Sequence, residues 1–318
     1  MTGPGPCLLC RSTDTAHYMD ARDYITGEMF ALRQCRQCGF VYVSPVPDDL
    51  NKYYPAFYRQ YHPIVLWLFR FFQELRTRGW VRKFGTSGRV LEVGCGHGWM
   101  LAALRRCGWN AFGVERTAQS ASFAGNRLGL RVLVGELTAI KDTAGFDLII
   151  LHEVLEHLRE PMETLEACAR LLRPGGTLIV EVPNLDSWQF QFTREHWEHL
   201  LVPRHIGQFT PETMRSALER VQLRMQDISY VSLEYDPHSW LQSTLNKMGF
   251  PQNLLLRWLA GGWRGDPERG LPAVWTLQGL AMVVMIALLI VPSFLLAMIS
   301  WPAHKGSIME VRAVRPKS

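Results

Sequence analysis

Three alternate glycines stand between a short apolar segment and a helical pattern. The apolar segment covers residues 89–93, the glycines are Gly94, Gly96 and Gly98, and the helical pattern covers residues 99–107. Glycine at such a turn lets a ligand approach the backbone closely. Apolar segments then alternate with helical patterns, at residues 111–115, 117–128, 130–134, 146–151, 162–172 and 177–182. This alternation predicts an α/β fold with a doubly wound, mainly parallel sheet that binds its ligand at the carboxyl ends of the strands.

Two carboxylates accompany the glycine turn. Glu92 lies in the first predicted strand, and Glu115 ends the second, where a carboxylate can accept hydrogen bonds from both hydroxyls of a ribose. The glycines follow the spacing Gly-x-Gly-x-Gly, which differs from the Gly-x-Gly-x-x-Gly of dinucleotide-binding proteins. The pattern therefore favours a nucleoside ligand other than a dinucleotide.

At these residues the chain resembles the class I S-adenosylmethionine-dependent methyltransferases, whose first motif is (D/E)-x-G-x-G-x-G with an acidic residue ending the second strand. Residues 146–157 (FDLIILHEVLEH) resemble the fourth-strand motif of that family, and residues 173–176 (RPGG) resemble its turn before the fifth strand. The resemblance covers about residues 86–235 and the C-terminal tail. It implies a Rossmann-like sheet of seven strands, doubly wound, with an antiparallel last strand that we expect at residues 307–314 beside a sixth strand at 224–233.

The resemblance also implies roles for single residues. The methionine part of the cofactor would lie against a set around the glycine turn: Glu92, Gly94, Cys95, Gly96 and Gly98. Glu115 would hold the ribose, and Glu136, just after the third strand, would lie near the adenine. His152 and Glu153, at the end of the fourth strand, would lie closest to the sulfonium methyl, and His152 is a candidate for both cofactor binding and catalysis.

A general base is useful to such an enzyme but not obligatory, because aligning the acceptor with the methyl group supplies most of the acceleration. A base adds roughly two to four orders of magnitude when the acceptor must lose a proton. The catalytic candidates are His157 and Glu156, on the helix expected after strand four, together with His152 and Glu153. Three further histidines lie in the segment that commonly covers the substrate in such folds, His196, His199 and His205.

Two Cys-x-x-Cys pairs lie near the N-terminus. Cys7 and Cys10 form one pair, Cys35 and Cys38 the other, and four thiolates so placed suit a structural, tetrahedral Zn²⁺. The ribbon is similar to one that precedes the catalytic domain in a bacterial methyltransferase subgroup. A redox pair and a nucleic-acid-binding ribbon are the alternatives, and the lack of a basic excess in residues 1–50 argues against the second.

An uncharged stretch at residues 270–303 is the most unusual part of the composition. As one helix, residues 274–301 would extend ~40 Å, more than the ~30 Å hydrocarbon core of a bilayer requires. A strand after this segment must return to the sheet, so we expect both ends on one side of a membrane. We therefore favour a re-entrant or interfacial hairpin broken at Pro292 over a single span or a buried soluble cap. Four tryptophans near its ends suit the interface, namely Trp258, Trp263, Trp275 and Trp301.

Basic and aromatic residues are mixed between residues 53 and 84. The basic ones are Arg59, Arg70, Arg76, Arg78, Arg82 and Lys83. This mixture suits an anionic membrane surface, and it equally suits a helix that packs on the sheet with a solvated basic face. The net charge of +5 is too small to indicate a nucleic-acid partner.

These patterns divide the chain into four segments. Residues 1–50 form a zinc ribbon, residues 51–85 an aromatic and basic helical linker, residues 86–235 with 304–318 the methyltransferase domain, and residues 236–303 an apolar, membrane-associating insertion. The N-terminus lacks a secretory signal pattern, so we expect a cytoplasmic protein on the membrane, peripheral or monotopic, with a single span as the alternative.

The leading functional hypothesis is methyl transfer, mainly to oxygen, on a membrane-associated acceptor such as a lipid, a quinone or a lipid-linked glycan. The apolar insertion motivates it, because an enzyme acting on soluble substrates gains nothing obvious from such a segment. The alternatives are a soluble sugar methyltransferase and a non-enzymatic membrane-bound scaffold. The sequence leaves the acceptor and the oligomeric state open.

Overall fold

The computed structural model describes residues 5–54, 63–141, 145–259, 264 and 272–317, so Arg59 and Trp263 lie outside the described residues. The chain divides into two compact units. We call Leu68–Val182, Pro211–Ser229 and Glu310–Ser318 the large-sheet unit, and Met1–Trp67, Pro183–Thr210 and Tyr230–Met309 the ribbon unit. The ribbon unit thus joins segments that lie far apart in the sequence, a grouping that composition alone does not predict.

The large-sheet unit is built on seven strands. They are β4 (Arg89–Val93), β5 (Asn110–Glu115), β6 (Arg131–Val134), β7 (Phe146–His152), β8 (Leu172–Pro183), β10 (Arg224–Ser229) and β11 (Ile308–Val314). Their order is β10-β11-β8-β7-β4-β5-β6. The strands from β4 to β8 pair in parallel, and β10 pairs antiparallel with β11. The predicted seven-stranded, doubly wound sheet is confirmed, and the last strand inserts beside the sixth as expected.

Five helices belong wholly or mainly to this unit. They are α1 (Pro63–Phe84), α2 (Trp99–Arg106), α3 (Ala118–Leu128), α4 (Pro161–Leu171) and α6 (Pro211–Arg220). Trp80 of α1 is buried in the same core as the strand residues Val90, Leu148 and Ile150. Its indole Nε1 also donates to Glu310 Oε2 at 3.0 Å. The segment predicted as a linker therefore contributes a helix to the core of this unit.

The ribbon unit contains a four-stranded antiparallel sheet. Its strands are β1 (Thr15–Arg22), β2 (Met29–Cys35), β3 (Val41–Val43) and β9 (Gly207–Gln208), in the order β1-β2-β3-β9. Leu32 and Val43 of this sheet share a core with Phe190 and Trp197. The N-terminal ribbon is therefore stabilised by apolar burial against later residues as well as by whatever its cysteines bind.

Four helices complete the ribbon unit: α5 (Trp188–Thr193), α7 (Asp236–Lys247), α8 (Leu254–Leu259) and α9 (Leu277–Ser300). α9 runs without interruption through Pro292. The expected hairpin at that proline is therefore wrong. A proline inside a helix destabilises that helix by about 3 kcal/mol or more. Packing offsets this cost, because Leu289 and Ser293, which precede and follow Pro292 in the sequence, both lie on the face of α9 that faces the protein.

The buried face of α9 is a narrow stripe. Gly279, Met282, Ser293, Ala297 and Ser300 are buried, and Met282 packs on residues of α7 and α8. The opposite face carries exposed apolar side chains at helical spacing: Leu280, Val284, Leu288, Val291, Leu295 and Met298, each more than half exposed. By length and composition, α9 is the one helix among the described residues that is long and apolar enough to cross a membrane.

Candidate active site

The glycine turn connects β4 to α2 in a conformation that only glycine adopts without strain. Gly98 has a φ of +77°, and a Cβ there would lie 2.5 Å from Leu130 Cδ1. Gly96 has a φ of +52°, but a Cβ there would meet no described atom within 4 Å. The backbone at Gly96 therefore faces open space at the carboxyl edge of the sheet, which is the position the sequence predicted for a ligand.

Glu115 holds this turn in place. Its Oε2 accepts a hydrogen bond from the Gly96 N–H at 2.9 Å, and its Oε1 accepts one from the Thr117 N–H at 2.7 Å. Each carboxylate oxygen has a second lone pair that can accept a hydrogen bond from a ligand hydroxyl. Glu115 therefore lies at the end of β5 beside Gly96, and its role in binding a ribose stays a prediction.

Glu92 is a buried carboxyl beside the turn. Its side-chain atom Oε2 is buried and has no hydrogen-bond partner among the described residues. Burial, with a smaller contribution from the charge of Glu115, raises the pKa of Glu92 to about 8. A buried polar atom without a partner is rare in folded proteins and marks a place where a ligand group is expected. The hydrogen-bond acceptors around the turn thus fit the amino and ribose groups of S-adenosylmethionine.

The other predicted cofactor residues lie close to this turn in the chain or at the sheet edge. Cys95 is buried, and burial raises the pKa of its thiol. Glu136 follows β6, is largely exposed, and forms an ion pair with Arg116 at 3.1 Å. The ion pair with Arg116 is compatible with the predicted position of Glu136 near an adenine ring, which stays a prediction.

His152, at the end of β7, belongs to a cluster that the sequence did not predict. Its Nε2 lies 3.0 Å from Glu181 Oε1 and also contacts a guanidinium nitrogen of Arg76, and Arg76 itself lies 3.2 Å from Glu181. Burial alone would raise the pKa of Glu181, but the charge of Arg76 and the nearby His152 together lower it to about 2. Glu181 is therefore ionised within this cluster.

A signal for Glu181 existed in the sequence. A lone acidic residue stands in the otherwise apolar predicted strand 177–182, and β7 and β8 pair in register so that His152 lies opposite Glu181. Arg76 gave no comparable signal, because only the packing of α1 on the sheet brings it to this edge. In the sequence, Arg76 is simply one of six basic residues between residues 53 and 84.

The remaining catalytic candidates follow β7 directly. Glu153 has a φ of +54°, which is uncommon for a residue other than glycine. Glu156 and His157 lie in a short 3-10 turn (Leu155–His157) and not on the expected helix, which begins only at Pro161. Burial, with a smaller contribution from the charge of Glu181, raises the pKa of Glu156 to about 8. His157 Nε2 lies 3.7 Å from Glu156 Oε1, and the His157 side chain is 27% exposed.

The three later histidines belong to the ribbon unit. His199 and His205 are buried, and burial lowers the pKa of His199 to about 4. His196 is partly exposed and lies 3.7 Å from Glu195. His157 and His152 are thus the predicted catalytic histidines that lie in the same unit as the glycine turn.

The four N-terminal cysteines converge in the ribbon unit. The sulfur atoms of Cys7, Cys10, Cys35 and Cys38 all lie within 4.8 Å of one another. Cys7 Sγ is 3.5 Å from Cys38 Sγ, and Cys10 Sγ is 3.4 Å from Cys35 Sγ. The hydrogen bond from Cys38 lowers the pKa of Cys7 to about 5. Four thiol groups at these separations fit the ligand set of a tetrahedral metal ion.

Comparison with known proteins identifies similar sequences. A family model described as a methyltransferase domain matches residues 65–228. The ubiquinone biosynthesis O-methyltransferase of Xanthomonas campestris pv. campestris (strain B100) is 30% identical over 164 residues, which cover 48% of this chain and 68% of that protein. The protein of the same name from Xylella fastidiosa (strain M23) is 29% identical over 165 residues, covering 48% of this chain and 66% of its own length.

Among solved structures, a SAM-dependent methyltransferase from Archaeoglobus fulgidus is 17% identical, with a TM-score of 0.48, and the match covers 77% of this chain and 94% of that one. The residues matched by the family model, 65–228, include the glycine turn, Glu115 and the His152 cluster.

Proposed function

Because the chain belongs to the methyltransferase-domain family and is an S-adenosylmethionine-dependent methyltransferase, we propose that it methylates a hydroxyl oxygen of a membrane-associated acceptor of the quinone class. The observation that carries the proposal is the glycine turn, where Glu92 Oε2 is buried without a partner among the described residues and a Cβ at Gly96 would meet no described atom within 4 Å. The names of the similar proteins support a quinone precursor as the acceptor. The exposed face of α9 supports its membrane association.

Residues at the glycine turn bind and orient the cofactor in this proposal. S-adenosylmethionine, when bound, supplies a methyl group on a sulfonium. Glu92 accepts hydrogen bonds from its amino group, and the backbone at Gly94, Gly96 and Gly98 leaves room for the methionine part. Glu115 accepts hydrogen bonds from the ribose hydroxyls. Two carboxylates near a positively charged ligand also favour binding electrostatically.

His157 takes the acceptor proton in this proposal. A phenolic oxygen must lose its proton as it is methylated, and histidine is the residue type best suited to accept a proton near neutral pH. Glu156 is fully buried beside His157 and orients it. Nε2 of His152 already contacts both Glu181 and Arg76, so His152 is a positioning residue at the end of β7.

The test uses the full-length enzyme with methyl-labelled S-adenosylmethionine and a total lipid extract. Label is expected in lipid-soluble phenolic products. His157→Gln is expected to lower kcat by roughly two to four orders of magnitude, since it removes the base, while leaving the affinity for the cofactor unchanged. His196→Gln, at the partly exposed histidine of the ribbon unit, serves as the matched control. Label only in water-soluble products, or a His157→Gln variant with the activity of the control, would contradict the proposal.

A structural Zn²⁺ held by Cys7, Cys10, Cys35 and Cys38 is also part of the proposal. The four sulfur atoms supply a complete tetrahedral set and leave no open position for a substrate. The ion would therefore stabilise the turns on either side of β1 and β2 and take no part in the reaction.

α9 lies parallel to the bilayer surface in this proposal. It packs along α7 and α8, and at its C-terminal end Trp301 donates a hydrogen bond to Asp236, the first residue of α7. If α9 crossed the membrane, α7 would have to enter it as well, together with Asp236 and Lys247. A charged side chain at the bilayer centre costs at least about 2.5 kcal/mol. An in-plane helix instead inserts only its exposed apolar face.

Binding to phosphatidylcholine vesicles tests this orientation. The double variant Leu288→Lys, Val291→Lys is expected to bind at least about tenfold more weakly, because each exposed side chain would lose its apolar contact with lipid. The matched control replaces two exposed apolar residues outside α9, Met29→Lys and Leu233→Lys, and is expected to bind like the wild type. Equal binding of both double variants would contradict membrane insertion of α9.

A further inference from the structure

α1 has two faces with different chemistry. Facing outward along one line of the helix are the apolar side chains of Ile64, Leu68, Phe71 and Leu75, spaced by four, three and four residues. They are 63%, 40%, 50% and 49% exposed. At the same spacing, Arg78 and Arg82 continue this line, and both are exposed. We call these six residues the outer line of α1.

The inner face of α1 is fixed to the large-sheet unit. Trp80 and Thr77 are buried, and Arg76 reaches Glu181 at the end of the sheet. The guanidinium of Arg70 lies 3.7 Å from the centroid of the Trp99 ring, and Trp99 is the first residue of α2, directly after the glycine turn. α1 therefore holds a fixed position beside the turn that binds the methyl donor.

We infer that the outer line of α1 docks on an anionic lipid bilayer, with its apolar residues in the interface and Arg78 and Arg82 against lipid phosphate groups. Helices that lie in a membrane interface combine an apolar face with basic residues. α1 carries five basic residues and one acidic residue, Glu74, which pairs with Arg106 at 2.5 Å.

Charge distribution argues against a second copy of the chain as the occupant. The outer line contains two arginines and no acidic residue. Arg78 shares Glu74, 3.8 Å away, with Arg106, so two copies packed through this line would bury more guanidinium groups than carboxylates, which is costly. Anionic headgroups supply the missing charge, and each basic residue near such a surface strengthens binding.

Only the consequence of docking rests on the proposed function, namely how an acceptor in the membrane reaches the site. Docking of α1 would bring the glycine turn, which lies in the same unit as most of α1, close to the lipid headgroups. An acceptor dissolved in the bilayer would then reach the site without leaving the membrane. Docking itself does not depend on methyl transfer.

The test compares vesicles of phosphatidylcholine alone with vesicles that also contain phosphatidylglycerol. Arg78→Gln with Arg82→Gln is expected to weaken binding to the anionic vesicles roughly 30-fold at low salt, and to leave binding to neutral vesicles unchanged. Arg127→Gln with Arg220→Gln, at two exposed arginines away from α1, is the matched control. Leu68→Ser with Leu75→Ser is expected to weaken binding to both kinds of vesicle roughly tenfold.

The fluorescence of Trp67, an exposed residue of α1 directly before Leu68, provides a second measurement of docking. The blue shift of tryptophan fluorescence on anionic vesicles is expected to shrink in Trp67→Phe. Anionic-vesicle binding of Arg78→Gln with Arg82→Gln that equals its control would overturn the inference. So would a Leu68→Ser, Leu75→Ser variant that changes from dimer to monomer in light scattering but binds vesicles normally, because it would identify a second copy as the occupant. Failure of the α9 proposal instead appears as equal binding of the Leu288→Lys, Val291→Lys variant and its control to phosphatidylcholine vesicles, so the two proposals fail separately.

Discussion

Replacing Glu92 with alanine is expected to weaken the binding of S-adenosylmethionine at least about a hundredfold. The reason is that a buried carboxylate bound to an amino group forms a charge-assisted pair, and removal of one partner from such a pair costs about 3–5 kcal/mol. The Glu92 Oε2 atom has no partner among the described residues, so the variant loses a ligand contact without breaking an internal one at that atom. Equilibrium dialysis with labelled cofactor measures the change.

The pH dependence of cofactor binding tests the same residue. Glu92 has a raised pKa of about 8 in the absence of ligand, so at pH 7 it is mostly protonated and must release a proton to pair with an amino cation. Affinity is therefore expected to rise as pH rises toward about 8, with release of nearly one proton per cofactor at pH 7. Calorimetry in buffers of different ionisation enthalpy measures this release. Glu92→Gln, which keeps the shape and removes the titration, is expected to release no proton.

The stability of the cofactor-free protein is expected to fall as pH rises, whereas the affinity for the cofactor rises. The folded-state pKa of Glu92 lies above its unfolded value, so its contribution to stability is fully present below about pH 4.5 and is lost as pH rises through about 8. Cofactor binding offsets that loss, because it stabilises the ionised form. A Glu92→Gln variant that binds cofactor with unchanged affinity and unchanged proton release would contradict the assignment of Glu92.

Cys35→Ser is expected to remove zinc from the protein and to unfold the ribbon. Structural zinc supplies roughly 10–16 kcal/mol of apparent binding free energy in small metal-folded domains, and serine does not replace a thiolate ligand. Metal analysis is expected to find about one zinc per chain in the wild type and none in the variant. Cys107→Ser, outside the four-cysteine cluster, is the matched control and is expected to keep its zinc.

Measuring cofactor binding by the same variant shows whether loss of the ribbon affects the glycine turn. The glycine turn lies in the large-sheet unit and the cysteines lie in the ribbon unit, so Cys35→Ser is expected to bind S-adenosylmethionine within about threefold of the wild type. Loss of a zinc ion without loss of ribbon structure would contradict the structural role. A variant that retains zinc would contradict the metal site itself.

Local patterns predicted the parallel strands and the glycine turn, whereas the seven-stranded sheet with its antiparallel last strand came from the family resemblance. The strands β4, β5 and β7 are mainly apolar segments that begin and end within a residue of the predicted limits. Parallel strands between helices are buried on both faces, so their sequence signal is strong. The predicted convergence of four cysteines also depended only on spacing, and the four sulfur atoms do lie close together.

Features set by contacts between distant segments were not predictable. Arg76 reaches Glu181 because α1 packs on the sheet, and no local pattern indicates that contact. β9 joins the ribbon sheet by pairing Gly207 and Gln208 with β3, although about 165 residues separate the paired positions. The hairpin at Pro292 was wrong for the same reason, because packing of α9 on α7 and α8 outweighs the local cost of proline.

A crystal structure of the full chain with S-adenosylhomocysteine tests the central claim most directly. We predict that the ligand lies over Gly96, with its amino group within hydrogen-bond distance of Glu92 and its ribose hydroxyls on Glu115. A crevice filled by the protein's own side chains, or a ligand bound away from the glycine turn, would contradict it.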